Sequence, residues 1–254
     1  VDIQNRDKAL KDFLKGSKEK EPMYRGTKHG YDTDYEMSFA MPQEIGTHVG
    51  TRGQATSILA VTPEKELGGG QALSEEVMQS LLAESDMSMP KAITKGYISV
   101  KQPLLFEKDF GNWSATEILT RPQDVDYIAK EVAKQSSTKG VTPEVVKAVL
   151  KRKTSPYITK AMDVSAEEGL DSLSYNIHNA KLNIEFRKVL ESFGFDSIKY
   201  KNNFEARIKG ESPYSYILFK PQQFKSAFAS RFDKADPRQN KAEGSLLKKA
   251  SNGL

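Results

Sequence analysis

Apolar positions along this chain change their spacing several times, and each change marks an element. Ala9, Leu10, Phe13 and Leu14 recur at helical intervals within residues 1–21, which predicts a short amphipathic helix followed by a charged linker. MYRGT, from Met23 to Thr27, predicts a short strand with a turn residue at its end. From Lys28 to Gln43, aromatic residues and methionines are scattered among polar ones until Pro42 breaks the segment. GTHVGT follows at 46–51, and GQATSILAV predicts the start of a helix. Past a flexible break at Gly68–Gly70, Leu73, Val77 and Leu81 repeat every four residues with Met78 and Leu82 beside them, so a helix with one apolar face is expected. GYISV, 96–100, reads as a strand, and PLLFEKDFGNW, 103–113, as a loop anchored by bulky apolar side chains that include the only tryptophan, Trp113.

From Thr120 to about Asn179 the pattern becomes a series of short helical stretches, which predicts a helical insertion. One start has a clear mechanism. The Thr142 hydroxyl can cap a free N–H, Pro143 fits the first turn, Glu144 complements the helix dipole, and Val145, Val146, Val149 and Leu150 supply an apolar stripe. Another helix carries Leu182, Phe186, Val189, Leu190 and Phe193, with Gly194 placed to end it. Two strands follow, DSIKY at 196–200 and YSYILF at 214–219. In the second, Tyr214, Tyr216 and Leu218 alternate with Ser215, Ile217 and Phe219; apolar on both faces, it should lie centrally in a sheet. Beyond Arg231 apolar residues are too few to pack, so residues 232–254 are expected to form a flexible basic tail. There is no internal repeat. The fold class expected is α+β.

Composition narrows the chemistry. The chain has 254 residues, 37% of them hydrophobic and 28% charged, which is enough for one large domain with a substantial core. No window of about 18 apolar residues occurs, so neither a membrane span nor an export signal is expected. The chain opens on Val1 rather than Met, as a segment cut from a longer protein or a processed start would. Without cysteine there can be no disulfide, thiolate metal site or cysteine nucleophile, and a cytoplasmic setting is allowed. His29, His48 and His178 are widely separated and form no HExxH, so no metal is expected. The net charge of +4 gathers in KGSKEKE and KKASNGL, solvated ends rather than a basic face interleaved with aromatics, and no specific nucleic-acid partner is expected.

GTHVGT is the most chemically suggestive stretch. It lacks the Lys and hydroxyl of a phosphate-binding P-loop, the GxGxxG spacing of a dinucleotide fold and the GxSxG of a hydrolase elbow. Alone it reads more simply as a tight turn. Five segments taken in order say more: YRGT at 24–27, GTHVGTRGQA at 46–55, YISVKQPLLFEKDFGNW at 97–113, GFDSIKYKNNFE at 194–205 and SYILFKPQQFKSA at 215–227. The series resembles the ADP-ribosyltransferase domains of phage polyvalent proteins and related toxin-like effectors. The likeness spans roughly Pro22 to Ala227 and is interrupted by the helical block.

That resemblance implies an ADP-ribosyltransferase-like split β-sandwich core within residues 22–231, with flanking helices and a helical insertion at about 120–179. It implies NAD as the substrate, held in the cleft between two small sheets, and cleavage of the nicotinamide–ribose bond without a metal. ADP-ribose would pass to a host protein acceptor, in the host cytoplasm or from the virion; water as acceptor would make a glycohydrolase, and a silent binding module is the alternative outside enzymes. Tyr24, Arg25, Gly26 and Thr27 would form the first core strand, with Gly26 admitting the nicotinamide carboxamide and Arg25 reaching a ribose hydroxyl or a phosphate. Many relatives have His where Arg25 stands, and Arg25 is similar to the first-strand arginine of cholera-toxin-like transferases. His48, Gly50 and Thr51 would belong to the second strand and contact the nucleotide, while His48 as a packing residue remains open. Tyr31, Tyr35 or Phe39 would stack on nicotinamide. Tyr200, Asn202 and Glu205 match Y-x-N-x-x-E, which makes Glu205 the expected catalytic carboxylate with Asn202 orienting it and Glu211 as its competitor. Ser215 occupies the position where poly-ADP-ribose polymerases and diphtheria-like toxins carry their glutamate.

Overall fold

The computed structural model describes residues 3–27, 42–60, 70–83, 92–170, 172–229 and 232–236. In chain order the elements are α1 (Ile3–Leu14), β1 (Met23–Thr27), β2 (Thr47–Val49), α2 (Arg52–Ala60), β3 (Ala72–Leu73), α3 (Glu75–Ala83), β4 (Ala92–Ile98) and β5 (Pro103–Phe106). Then come α4 (Ala115–Leu119), α5 (Pro122–Gln135), α6 (Pro143–Glu168), α7 (Leu173–Ser192), β6 (Ser197–Lys201), β7 (Arg207–Ile208), β8 (Tyr214–Leu218) and β9 (Phe224–Ser226). The fold is α+β. Its strands form a three-stranded sheet ordered β1-β4-β9, a four-stranded sheet ordered β2-β8-β6-β5 and the small parallel pair β3-β7.

Strand β8 organises the core as its alternation requires. Tyr216 and Leu218 enter a cluster with Met23, Val49, Ile98 and Phe224, which lies between the two larger sheets. Ile217, with Phe219 just beyond the strand, enters a second and larger cluster with Leu104, Ile198, Val146, Leu150, Leu182 and Phe186. The resulting layers are three-stranded sheet, four-stranded sheet, then helices α4 to α7. β8 is flanked by β2 and β6, the central position predicted for it. The helical block therefore shares one continuous core with the four-stranded sheet rather than standing apart as an appendage.

Local signals explain several boundaries. Thr142 Oγ1 accepts from Val145 N–H at 3.3 Å, as expected of a cap. α6 then runs 26 residues as one long helix, where a series of short ones was expected. Pro156 lies on its exposed side, where the carbonyl left without an N–H donor can face water. α7 ends where Phe195 N–H returns to Leu190 C=O at 3.2 Å and Gly194 N–H to Glu191 C=O at 2.9 Å.

Three further expectations change. PLLF is strand β5 rather than loop, paired in parallel with β6 so that Phe106 stands opposite Tyr200. Leu73 belongs to β3, and α3 begins after Ser74, whose hydroxyl accepts from Val77 N–H at 3.3 Å. Phe232 does not begin a loose tail: it is 5% exposed and packs on Phe13 of α1, with ring centroids 5.9 Å apart. Asp236 C=O receives the ammonium of the fully buried Lys225, so packing continues at least to that residue. No described helix is long and apolar enough to cross a membrane. Residues 237–254 of the expected tail, His29, and the three candidate stacking aromatics Tyr31, Tyr35 and Phe39 lie outside the described residues.

Candidate functional site

The three- and four-stranded sheets meet where Tyr24 on β1 and Gly50 just after β2 exchange main-chain hydrogen bonds of 2.8 and 2.9 Å. A cleft of about 330 Å³ opens at this junction. From β1 it takes Tyr24, Arg25 and Gly26; from the second strand and its flanks, Glu44, His48 and Gly50; from β8, Ser215; and from β6 and its following loop, Tyr200, Asn202 and Glu205. Asp109 and Trp113, from the loop after β5, and Gln54, Ala55 and Ile58, from α2, also line it. Gly26 and Gly50 let neighbouring groups press directly on the main chain here. A Cβ on Gly26 would stand 2.5 Å from Ala55 O, and one on Gly50 would stand 2.6 Å from Gln54 Oε1.

The loop carrying Glu205 is held residue by residue. Asn202 Oδ1 accepts from the N–H groups of Phe204 and Glu205, both at 3.0 Å, in an Asx turn that follows directly from the N-x-x-E spacing. Asn203 N–H donates to Asp109 Oδ2 at 2.9 Å, and Ala206 N–H donates to Ser57 Oγ at 3.1 Å. Asn202 Nδ2 donates to Ser215 Oγ at 2.9 Å, and Ser215 in turn donates to Gln54 Oε1 at 3.1 Å. This framework presents Glu205 to the cleft with its Oε2 buried and without a hydrogen-bond partner. Burial pushes the Glu205 carboxyl up; the Asn202 side chain and the His48 charge pull it back, Asp109 adds to the rise, and the net shift is upward from the ordinary glutamate value.

His48 stands beside it between two partners. Its Nδ1 lies 2.9 Å from Tyr200 Oη, and its Nε2 forms an ion pair with Glu44 Oε2 at 3.1 Å. Burial pushes the imidazole down, but Glu44 reverses this with help from Glu205 and Asp109, so His48 holds its proton above the ordinary histidine value. Burial also pushes the Glu44 carboxyl up, and the His48 charge and hydrogen bond, together with the Trp113 main chain, bring it below its ordinary value. Tyr200 is packed against Trp113, with ring centroids 4.6 Å apart; burial followed by the charges of Glu205, Asp109 and Glu44 raises its phenol well above the ordinary tyrosine value, against a smaller opposing effect of a side-chain hydrogen bond with Ser215.

Of the residues singled out from the sequence, Tyr24, Arg25, Gly26, His48, Gly50, Asn202, Glu205 and Ser215 line this one cleft. Arg25 is 7% exposed, so it is not a surface ion-pairing arginine. Three others lie outside the lining. Thr27 is buried at the end of β1 opposite Ala92. The Thr51 hydroxyl donates to Glu211 Oε2 at 2.8 Å, and the Glu211 carboxylate also accepts from Gly53 N–H at 3.1 Å and Ile208 N–H at 2.9 Å. Glu211 is thus occupied in tying the first turn of α2 to β7.

The sequence reading passed over Glu44, Gln54 and Asp109. The D-F-G-N turn was a signal for Asp109, whose Oδ1 accepts from Gly111 N–H at 3.0 Å and Trp113 Nε1–H at 3.2 Å. Glu44 and Gln54 act through contacts across the sheets and carried no local signature.

A buried, partly unsatisfied carboxylate can grip a hydroxyl and stabilise positive charge developing next to it. The chain matches no protein-family model, no curated protein and no solved structure, so its chemistry has to be read from the residues gathered in this cleft.

Proposed function

We propose that the chain is an NAD-dependent mono-ADP-ribosyltransferase built on the split two-sheet core of that superfamily. One observation carries the reading: Glu205, the carboxylate of the Y-x-N-x-x-E segment, faces the cleft at the junction of the two sheets with a buried oxygen still to be satisfied. The order and division of the strands are further support.

The nicotinamide–ribose end of NAD occupies the cleft, whose volume lies at the small end for ligand pockets. Nicotinamide leaves with the electron pair of its bond to the sugar, so its ring nitrogen becomes neutral and the sugar carbon becomes oxocarbenium-like. Glu205, ionised, stabilises that charge while accepting a hydrogen bond from the adjacent ribose hydroxyl. A nucleophilic atom of the acceptor, a protein side chain, then bonds to the sugar carbon and gives up its proton to Glu205 or to solvent water. Arg25 supplies a fixed cation at the cleft wall for the negatively charged part of the substrate.

Labelled NAD incubated with a lysate tests the reading. Labelled protein bands are expected, whereas free ADP-ribose alone would assign hydrolysis. Glu205→Gln is expected to lower NAD consumption about 10²–10³-fold, the usual cost of losing one transition-state electrostatic contact; an unchanged rate overturns the assignment of Glu205.

A further inference from the structure

The turn between β5 and α4 grips the loop that carries Glu205, and Asp109 divides its two carboxylate oxygens between the two segments. Oδ1 accepts from Gly111 N–H at 3.0 Å and from Trp113 Nε1–H at 3.2 Å, which closes the turn on itself. Oδ2 accepts from Asn203 N–H at 2.9 Å, two residues before Glu205. A second contact lies beside this one: the Phe204 ring covers Gly111, where a Cβ would stand 3.5 Å from the ring Cε2. On the far side of Glu205, Ala206 N–H donates to Ser57 Oγ at 3.1 Å, so the carboxylate is held between α2 and the turn.

The turn is itself fixed. Ile45 N–H, just ahead of β2, donates to Trp113 C=O at 2.8 Å, and Glu107 N–H donates to Tyr127 Oη of α5 at 3.1 Å. The Lys108 ammonium pairs with Asp124 of α5, whose side chain is 2% exposed, and lies 5.0 Å from the centre of the Phe110 ring. Phe110 packs edge-on against Trp113, with ring centroids 4.9 Å apart. The Asx turn of Asn202 sets the shape of the Glu205 loop, but shape alone does not fix where the carboxylate stands against the opposite wall of the cleft. A link from a fixed point does.

We propose that Asp109 is a positioning residue that fixes Glu205 in the cleft through its hydrogen bond to the Asn203 main chain. An asparagine of the same shape exposes this role. Its one side-chain oxygen meets two N–H groups on the Oδ1 side and a single one on the Oδ2 side, so the oxygen stays with Gly111 and Trp113. The amide nitrogen then faces Asn203 N–H, donor against donor, and the link to the Glu205 loop is lost while the turn persists. That the carboxylate so placed acts on NAD rests on the transferase reading.

Wild type, Asp109→Asn and Asp109→Ala are compared, with folding checked by circular dichroism. Hydrogen exchange at the Asn203 amide, followed by NMR, reads the link; emission of Trp113, the only tryptophan of the chain, reads the turn; NAD turnover reads the carboxylate. Burial, most strongly, and the Asp109 charge raise the Glu205 carboxyl, so rates are compared on the plateau of the pH profile, where losing that charge has no effect on its ionisation. Asp109→Asn is expected to exchange the Asn203 amide about tenfold faster, to keep the wild-type Trp113 emission, and to lower kcat about 10- to 100-fold with KM changed less. Asp109→Ala is expected to shift the emission as well. Unchanged Asn203 exchange in Asp109→Asn, or an unchanged plateau kcat despite faster exchange, overturns the proposal and leaves the transferase reading standing. So does an Asp109→Asn emission shift as large as that of Asp109→Ala, which would mean that the turn rather than the link was lost. A wild-type protein that does not consume NAD overturns the transferase reading, and Asn203 exchange unaltered by Asp109→Asn still overturns the link.

Discussion

Replacing Glu211 separates anchoring from catalysis. Its carboxylate accepts from Thr51 Oγ1, Gly53 N–H and Ile208 N–H at 2.8 to 3.2 Å. Gly53 lies in the first turn of α2, so the charge also sits at the positive end of that helix. Glu211→Ala leaves the buried Gly53 N–H unmet, at about 1–3 kcal/mol, with a smaller cost at half-buried Ile208. Loss of the charge at the helix end adds roughly 0.3–1 kcal/mol. The total is about 3 kcal/mol, which for a chain of this size lowers Tm by roughly 6–12 °C. Glu211→Gln can keep its carbonyl oxygen where Oε2 stands, loses mainly the charge, and should cost about 1 kcal/mol. Thermal melts followed by circular dichroism and NAD turnover on the same samples supply the test. The order wild type, Gln, Ala in Tm is expected, with turnover of the Gln variant within a few-fold of wild type. A Glu211→Ala protein melting within about 1 °C of wild type would refute the anchoring argument. A Glu211→Gln protein of normal Tm that turns over NAD about a hundredfold more slowly would make Glu211, rather than Glu205, the catalytic carboxylate.

Other substitutions probe the same architecture. Gly26→Ala places a Cβ 2.5 Å from the main-chain oxygen of Ala55, so β1 and α2 must separate; a loss of about 1–3 kcal/mol in urea denaturation is expected, and wild-type stability would contradict the packing. Because burial raises the Glu205 carboxyl above its ordinary 4.5, the folded state holds that proton longer than the unfolded chain, and stability declines as pH rises from 4.5 through the raised folded value. Glu205→Gln removes that decline, so it should melt higher than wild type above this window and converge with it below; a wild type that gains on the variant as pH rises would reverse the sign. Deleting residues 120–179 strips Ile128, Val132, Val146 and Leu150 from the core against the four-stranded sheet, and the expected product is insoluble. Recovery of a folded, cooperatively melting protein would show the helical block to be separable after all.

The elements legible in the sequence were those whose burial repeats within a few residues. The two-faced alternation of YSYILF placed β8 at the centre of its sheet, Thr142–Pro143 marked the start of α6, and the Leu182–Phe193 periodicity marked α7. PLLF was missed because a four-residue apolar run carries no period, and its identity as β5 is settled by parallel pairing with β6, more than ninety residues on. Phe232 was missed for a related reason. One aromatic in a polar stretch looks solvated until Phe13 of α1 and Tyr97 of β4, both far earlier in the chain, are brought beside it. At the site, Asn202 and Glu205 were visible as a spaced pair because an Asx turn is local. Glu44 was not, since its partner His48 lies four residues away in a segment that is not helical and gives that spacing no regular meaning.

The meeting of the two sheets at Tyr24 and Gly50 offers a way to observe the cleft without any label on a ligand. Each of these residues gives its amide hydrogen to the other across the junction. Their exchange with deuterium requires the sheets to part there, so the two amides should exchange at a common rate, and any molecule that bridges the cleft should slow both together. A pair of neighbouring peaks in a spectrum would then report whether the gap between β1 and β2 is filled.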